Sequence, residues 1–459
     1  MAAELALDVQ LSRTVLPGLA EPQMVYALLT IRPSAAAQPA AVPLDVVLII
    51  DRSESMYMPI LPAAQFRELA QRGAVREITV DGIPVWQFQN VPPGYTTSAP
   101  RAIGYVKSAL QQALDGLGDA DCVALVAFAG QAQLLVTGAA DQDKASLRAA
   151  RRRAIDGLDG LALGNDTRLA QGLALGLAEI TRTPASQRVR RLVVLTDGFT
   201  LNREECLHLA QAAHAAGVAI STVGLGVEFD EDLLIALADM TGGNAYFATD
   251  PAEIPPALAK EMNAAQGIAW RDLDLKLRLA VGVDLRKAYA MQPAIRDLGP
   301  VPIVAQSANI GLGDLGRGIP QVLLIELVVA PRLPGTFRLA HLMLTYDGPA
   351  GLPVEADLVA GCGAPGEPGG GADGAVLAAV ERVTAHRLQT RALQAAERGD
   401  LPDATAKLRA AATRLLHMGE DDLAQAALAE ADGLERGQGP SPAGTKRLRY
   451  ATRLLTGDR

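Results

Sequence analysis

The chain is poor in aromatic side chains, in cysteine and histidine, and in positive charge. Only 4% of its 459 residues are Phe, Trp or Tyr, too few to build the stacking platforms that single-stranded nucleic acid requires. A formal net charge of -9 and a pI near 5.2 repel a phosphate backbone. The strongest basic cluster, Arg151-Arg152-Arg153, is short enough to be a solvated helix face. No nucleic-acid partner is expected. The three cysteines, Cys122, Cys206 and Cys362, form no C-x-x-C pair. Cys122 and Cys206 sit among apolar residues and read as buried thiols of a reducing compartment. Among the histidines no zinc spacing appears, since His208 and His214 fall on different faces of a helix. There is no G-x-x-x-x-G-K-[ST] loop and no G-x-S-x-G elbow, which leaves ATP hydrolysis and serine hydrolysis without their motifs. Gly311 to Gly316 spells G-x-G-x-x-G but precedes a strand, so a loop is expected there rather than a dinucleotide site. No apolar run reaches membrane-spanning length, and Val322 to Ala330 is interrupted by Glu326. Met1-Ala2-Ala3-Glu4 lacks the basic and apolar stretches of a signal peptide. A cytoplasmic protein without a membrane partner is expected.

What is abundant is aliphatic. Hydrophobic residues make up 49% of the chain, enough for well-packed cores, and the length calls for two or three domains. Residues 1–33 carry two strand-like runs, Leu5 to Leu11 and Met24 to Ile31, with Pro17-Gly18 turning between them; they are expected to join a later β-sandwich. After a Pro/Ala linker, residues 44–265 alternate apolar runs with amphipathic helices, the pattern of a parallel α/β sheet. Leu44 to Ile50, Cys122 to Phe128, Val189 to Leu195 and Val218 to Val223 read as its strands, with Leu134 to Thr137 a short neighbour. Leu169, Leu173, Leu177 and Ile180 form the inner stripe of one helix, where Gly172 and Gly176 would permit close packing. Asn202 with Glu205, and Asp250-Pro251 with Glu253, resemble capping boxes.

An insertion at 57–100 interrupts this alternation. It is rich in proline, and Asp81-Gly82 between Arg76 to Val80 and Ile83 to Phe88 signals a hairpin. Residues 268–360 switch to two-residue alternation and read as an antiparallel β-sandwich, with strands Leu273 to Leu279, Ala288 to Met291, Gln321 to Val329 and Phe337 to Thr345. A Gly/Pro linker, Gly361 to Gly374, leads to a helical region, 374–436. Its helices, Val376 to Glu397, Pro402 to Leu416 and Asp422 to Leu434, are expected to pack on the sandwich as a bundle. The stretch 437–459 reads as a basic tail, a flexible end with a docking peptide as the alternative.

Chemistry concentrates at three points of the α/β segment. Asp51-Arg52-Ser53-Glu54-Ser55 follows the first strand, Asn165-Asp166-Thr167 precedes a helix, and Asp197-Gly198 ends a core strand. All three fall at the carboxyl edge of the sheet, where open α/β sheets bind ligands. Asp-x-Ser-x-Ser alone is a common turn; joined to Thr167 and Asp197 at those strand ends it reads as a metal site. Three hydroxyls and two carboxylates are oxygen donors only, suited to a hard cation such as Mg²⁺, with Mn²⁺ and Ca²⁺ as alternatives. Asp166 reads as a helix cap rather than a ligand.

The five residues Asp51, Ser53, Ser55, Thr167 and Asp197 match the metal-ion-dependent adhesion site of von Willebrand factor A domains, and residues 44–265 resemble that family. The resemblance implies a Rossmann-like sheet flanked by helices, bound Mg²⁺, and recognition of a carboxylate on a partner protein, with no catalytic residue. The insertion, absent from the minimal family domain, either covers the site or extends its recognition surface. The layout of this domain with a β-sandwich and a helical region also resembles cytosolic bacterial proteins associated with MoxR-type AAA+ ATPases. That second resemblance implies a regulatory or substrate-recruiting subunit in a stress or defence pathway. A metal-dependent hydrolase is the disfavoured third reading, because no general base or second metal is evident.

Overall fold

The computed structural model describes residues 4–34, 42–58, 68–80, 83–88, 100–138, 144–164, 166–182, 188–226, 229–248, 250–348, 351–437, 439 and 442–455. The chain divides into two units, one formed by Pro43–Asn263 and the other by Met1–Val42 with Ala264–Arg459. Among the described residues no helix is long and apolar enough to cross a membrane.

The chain opens with three strands, β1 (Leu5–Leu11), β2 (Val15–Gly18) and β3 (Gln23–Pro33). The α/β unit follows with β4 (Leu44–Asp51), the hairpin strands β5 (Val75–Val80) and β6 (Ile83–Phe88), then β7 (Cys122–Phe128), β8 (Ala132–Val136), β9 (Val189–Thr196), β10 (Ala219–Leu225) and β11 (Ala245–Ala248). Its sheet has the order β11-β10-β9-β4-β7-β8. All neighbours are parallel except the edge strand β8, which runs antiparallel to β7. Every residue of β4, β9 and β10 is buried, as expected for strands covered on both faces by crossover helices. The chain leaves β4 toward β7 and leaves β9 toward β10, so the connections diverge between β4 and β9. That divergence is the topological switch point at which such sheets open a crevice.

The helix Leu169–Ile180 lies tightly on this sheet. A Cβ at Gly172 would stand 2.9 Å from Ile49 Cγ2 and 3.0 Å from the Phe128 ring, and one at Gly176 2.8 Å from Ile49 Cδ1. Both glycines therefore serve the close approach that their spacing suggested. In the insertion, β5 and β6 pair antiparallel from Val75 opposite Phe88 to Val80 opposite Ile83; the Asp81-Gly82 turn lies outside the described residues. Asp250 and Glu253 form the expected capping box ahead of the helix Ile254–Gln266. Asn202 does not: it precedes the helix Arg203–Ala215 but makes no side-chain cap.

The other unit contains β12 (Ile268–Leu279), β13 (Val283–Ala290), β14 (Arg296–Asp297), β15 (Ile303–Val304), β16 (Ser307–Gly316), β17 (Gln321–Val329), β18 (Gly335–Asp347) and β19 (Val354–Pro365). Two sheets form, β1-β3-β17-β13-β14 and β15-β16-β12-β18-β19-β2. The N-terminal strands thus complete both sheets, since β3 pairs with β17 and β2 with β19. Val25, Ala27, Leu29 and Ile31 of β3 meet Leu323, Ile325, Leu327 and Val329 of β17, Leu275 and Leu277 of β12 and Leu342 and Leu344 of β18 in the core between the sheets. The opposite face of β17 and β13 is also covered. Leu324 and Tyr289 pack with Val376, Leu415, Ala427 and Leu448 of the helices.

Several sequence expectations need correction. Pro17-Gly18 is not a turn but the end of β2, because its neighbour β19 supplies backbone partners. The strand β19 extends to Pro365, which shortens the linker after it. The G-x-G-x-x-G stretch lies inside β16, paired with β12 across an irregular register that glycine tolerates; it is strand, not loop. The basic tail is the largest departure. Residues Pro442–Arg453 form a helix, in which Leu448 is fully buried and Lys446, Arg449 and Arg453 are nearly so. The Arg453 carbonyl accepts from the Ile295 N–H at 2.7 Å. Its basic face is turned inward, so the segment is part of the fold rather than a flexible end. The three cysteines are free thiols; Cys206 and Cys362 are buried, and Cys122 is half-buried rather than fully enclosed.

Candidate metal centre

β4 delivers Asp51 to the crevice because its apolar run from Val46 to Ile50 leaves nothing polar before the strand ends. One more ladder bond, Arg52 N–H to the Phe128 carbonyl at 2.8 Å, carries the pairing past Asp51 before the chain turns away. The turn is a short 3₁₀ helix, Glu54–Tyr57, pinned by the fully buried Met56. Arg52 straps this turn from outside. Its Nε donates to the Leu158 carbonyl at 3.1 Å and its Nη2 to the Asp159 carbonyl at 3.2 Å, while the guanidinium stacks over the Tyr57 ring at 5.4 Å. Ser53 and Ser55 thereby face back toward the strand end.

The polar side chains then join in one chain of hydrogen bonds. Asp51 Oδ1 accepts from the Ser53 N–H at 2.8 Å, and Asp51 Oδ2 from the Thr196 hydroxyl at 2.5 Å. Ser53 Oγ lies 3.0 Å from Ser55 Oγ, and Ser55 Oγ donates to Asp197 Oδ1 at 2.6 Å across 142 residues of sequence. Thr167 closes the group from the third loop. A Cβ placed on Gly198 would stand 3.2 Å from Thr167 Oγ1 and 3.9 Å from Ser55 Oγ. Glycine at 198 therefore keeps open the space among these oxygens that any side chain would fill.

The Thr167 loop is fixed by its own bonds. The Arg168 N–H donates to the Ala129 carbonyl at 3.0 Å and the Gln131 N–H to the Leu163 carbonyl at 2.9 Å, tying the loop to the end of β7. The Thr200 hydroxyl accepts from the Leu169 N–H and donates to the Thr167 carbonyl, both at 3.1 Å. Thr200 thus does the capping that was expected of Asp166. The exposed Asp166 carboxylate lies 3.8 Å from Arg168 instead. Asn165 lies outside the described residues.

Burial grades across the cluster. Asp51 is 0% and Ser53 2% exposed, whereas Ser55, Thr167 and Asp197 are half-buried. Burial pushes the Asp51 carboxyl above its ordinary range, and the hydrogen bonds from Thr196 and Ser53 only partly offset this. Among the described residues no cationic side chain forms an ion pair with Asp51. Nor do three or more His, Cys, Asp or Glu side chains converge anywhere among them on a metal position. The oxygen cradle around the buried Asp51 carboxylate fits a hard divalent cation. The five sequence-selected residues come together; Thr196, Gly198, Thr200 and Arg52 were missed as their supports. A threonine closing the apolar run Leu192 to Leu195 at a strand end was a readable signal for Thr196. Nothing local marked Thr200.

Comparison with known proteins supports the fold. The model of the von Willebrand factor type A domain matches residues 98–260, and that of the Sll0103-like, C-terminal alpha-helical domain matches residues 374–458. The chain is 25% identical over 249 residues to the uncharacterized protein sll0103 of Synechocystis sp., a match covering 53% of this chain and 57% of that one. It is 24% identical over 238 residues to the uncharacterized protein YfbK of Escherichia coli, covering 49% and 38%. The matches thus span about half the length of these curated relatives. Among solved structures, a von Willebrand factor type A protein from Catenulispora acidiphila superposes with a TM-score of 0.72 at 17% identity, over 97% of this chain and 96% of that one. The ArnB paralog VWA2 from Sulfolobus acidocaldarius gives 0.53 at 14% identity over the whole of both chains. At these identities the two structures establish the fold alone.

Proposed function

From a chain that carries a von Willebrand factor type A domain and a Sll0103-like helical domain, we propose a non-enzymatic adaptor that captures a partner protein through a divalent cation. Asp51, Ser53, Ser55, Thr167 and Asp197 would hold the ion, with Mg²⁺ preferred over Mn²⁺ and Ca²⁺. Bound there, the cation supplies a Lewis-acidic position that accepts a carboxylate from outside. The two aspartates offset its charge and the hydroxyls add oxygens without charge, so the site retains an attraction for one more anion. The half-buried Ser55, Thr167 and Asp197 form its solvent-facing side.

The observation that carries this reading is the convergence of three loops on one oxygen cluster, with Ser55 hydrogen-bonded to Asp197 and an open glycine between Ser55 and Thr167. Calorimetric titration of the full chain with MgCl₂ tests it. Saturable binding that Asp197→Ala abolishes is expected, whereas equal heats in wild type and variant would refute it. Within that reading, the sandwich with its docked helices fits a subunit that presents captured protein to a larger machine. A MoxR-type AAA+ ATPase is the proposed machine, and Mg²⁺-dependent co-purification of such an ATPase from the host tests that step separately.

A further inference from the structure

The β-sandwich has an open edge where β1 and β19 border each other. β1 ends its sheet and pairs with β3 alone. β2 borders β19 only from Gly361 to Pro365, and its far side is closed by the Gly370 N–H, which donates to the Val15 carbonyl at 2.8 Å. The Gly361 N–H points outward to the Thr14 carbonyl, also at 2.8 Å. Backbone groups alternate sides along a strand that is paired antiparallel, so Val359, Asp357 and Glu355 turn their N–H and C=O groups outward too. They lie beyond the reach of β2, and among the described residues no strand pairs with them on that side.

A cavity of about 260 Å³ opens along this stretch, lined among others by Val9 and Leu11 of β1, Asp357 and Val359 of β19, and Asp373. It falls short of the ~300–1,000 Å³ of small-molecule sites and suits one or two side chains. Two carboxylates face it, and each commits one oxygen to the fold. Asp373 Oδ1 caps the helix Gly374–Glu397, accepting from the Ala375 and Val376 N–H groups at 2.9 and 3.0 Å. Asp357 Oδ1 lies 2.8 Å from His341 Nδ1 and accepts from Arg338 at 3.4 Å. Bonding to His341 holds the Asp357 carboxyl below its ordinary range. Among the described residues neither Oδ2 has a hydrogen-bond partner, and no cation lines the cavity. An edge whose outward side chains are Glu355, Asp357 and Val359 repels a second copy of itself and attracts a strand that carries positive charge.

We propose that this edge takes an extended segment of a partner protein as an added strand beside β19, in line with β2, with one lysine or arginine of that segment seated between Asp357 and Asp373. Main-chain bonds to the outward groups supply affinity and the two carboxylates supply the choice of side chain. No metal is involved, so the full chain is titrated in EDTA. The probes are two labelled short peptides of alternating threonine and valine, one with a central lysine and the other with a central glutamate, followed by fluorescence anisotropy. The lysine peptide is expected to bind about tenfold tighter or more. In Asp357→Asn/Asp373→Asn, where asparagine still caps the helix, that preference should disappear. Val359→Pro deletes an outward N–H, as edge strands tolerate, and should weaken the lysine peptide by about tenfold with little change in thermal unfolding. If that variant fails to fold, a lysine peptide N-methylated at alternate residues decides the same point by binding about tenfold more weakly. No saturable binding, equal affinity of wild type for both peptides, or indifference to both backbone changes would overturn the proposal. A dimer in solution that the lysine peptide dissociates would give the edge to a second copy and overturn it as well.

Discussion

Replacing Asp51 by asparagine should make the cation-free protein more stable and the cation-loaded protein less so. Asp51 is fully buried, and its carboxyl is pushed up by that burial. The folded state therefore favours the protonated form more than the unfolded state does. At neutral pH folding must either bury the Asp51 carboxylate or protonate it, each of which subtracts from stability, and this loss disappears only as the pH falls below both values. Asparagine removes the charge and keeps the shape. Its oxygen can still accept from the Ser53 N–H, and the Thr196 hydroxyl, which donates to Oδ2 at 2.5 Å, can rotate to accept from the amide. Relief of carboxylate desolvation after those bonds are retained is about 2 kcal/mol, or a rise of roughly 4–8 °C for a unit of this size. Wild type should instead gain about 2.7 kcal/mol from Mg²⁺ at a hundred times its dissociation constant, and the variant nothing. Thermal unfolding of both proteins in EDTA and in MgCl₂ would show the order of stability reversing. A variant that melts below wild type in EDTA, or gains as much from Mg²⁺, refutes the account of Asp51 as a buried charge awaiting a cation.

Three further outcomes follow from other parts of the molecule. Thr200→Val leaves the Leu169 N–H and the Thr167 carbonyl without their shared partner, so calorimetry should show Mg²⁺ affinity falling by about tenfold with a stability loss near 1 kcal/mol. Unchanged affinity would mean the Thr167 loop holds its shape without that hydroxyl. His386 is held down to about 4 by burial and by the neighbouring Arg453 and Arg449, against the opposing pull of Asp297. It is buried neutral, so its contribution is complete above about 6.5 and is lost as the pH falls toward 4, at up to about 1.4 kcal/mol per pH unit. His386→Gln should flatten that part of the stability profile measured by denaturant unfolding, and an identical slope in the variant would contradict it. Leu448→Ala removes a fully buried side chain from the C-terminal helix and should cost about 2–5 kcal/mol in urea unfolding; a neutral effect would restore the reading of that segment as a loose end.

Much of the fold was legible because its signals are local. The apolar runs Val46 to Ile50, Val123 to Phe128 and Leu192 to Leu195 announce strands buried on both faces. Gly172 and Gly176 announced a close helix before any distance was known. The errors lie where a distant partner decides. Pro17-Gly18 has the composition of a turn, yet β19 converts it to strand. The C-terminal helix looks like a solvated basic tail, because charge reads as exposure until the surface that buries its aliphatic stems is in place.

The site divides in the same way. Sequence alone selected Asp51, Ser53, Ser55, Thr167 and Asp197, since residue type and position at strand ends suffice to identify oxygen donors on one edge of a sheet. It did not reveal that Thr196 orients Asp51, or that Thr200 rather than Asp166 caps the helix after Thr167. Those facts depend on which backbone groups meet across a hundred or more residues of chain. Local chemistry is written along the sequence, whereas hydrogen-bond partners and burial are properties of three-dimensional neighbours, and only folding brings those neighbours together.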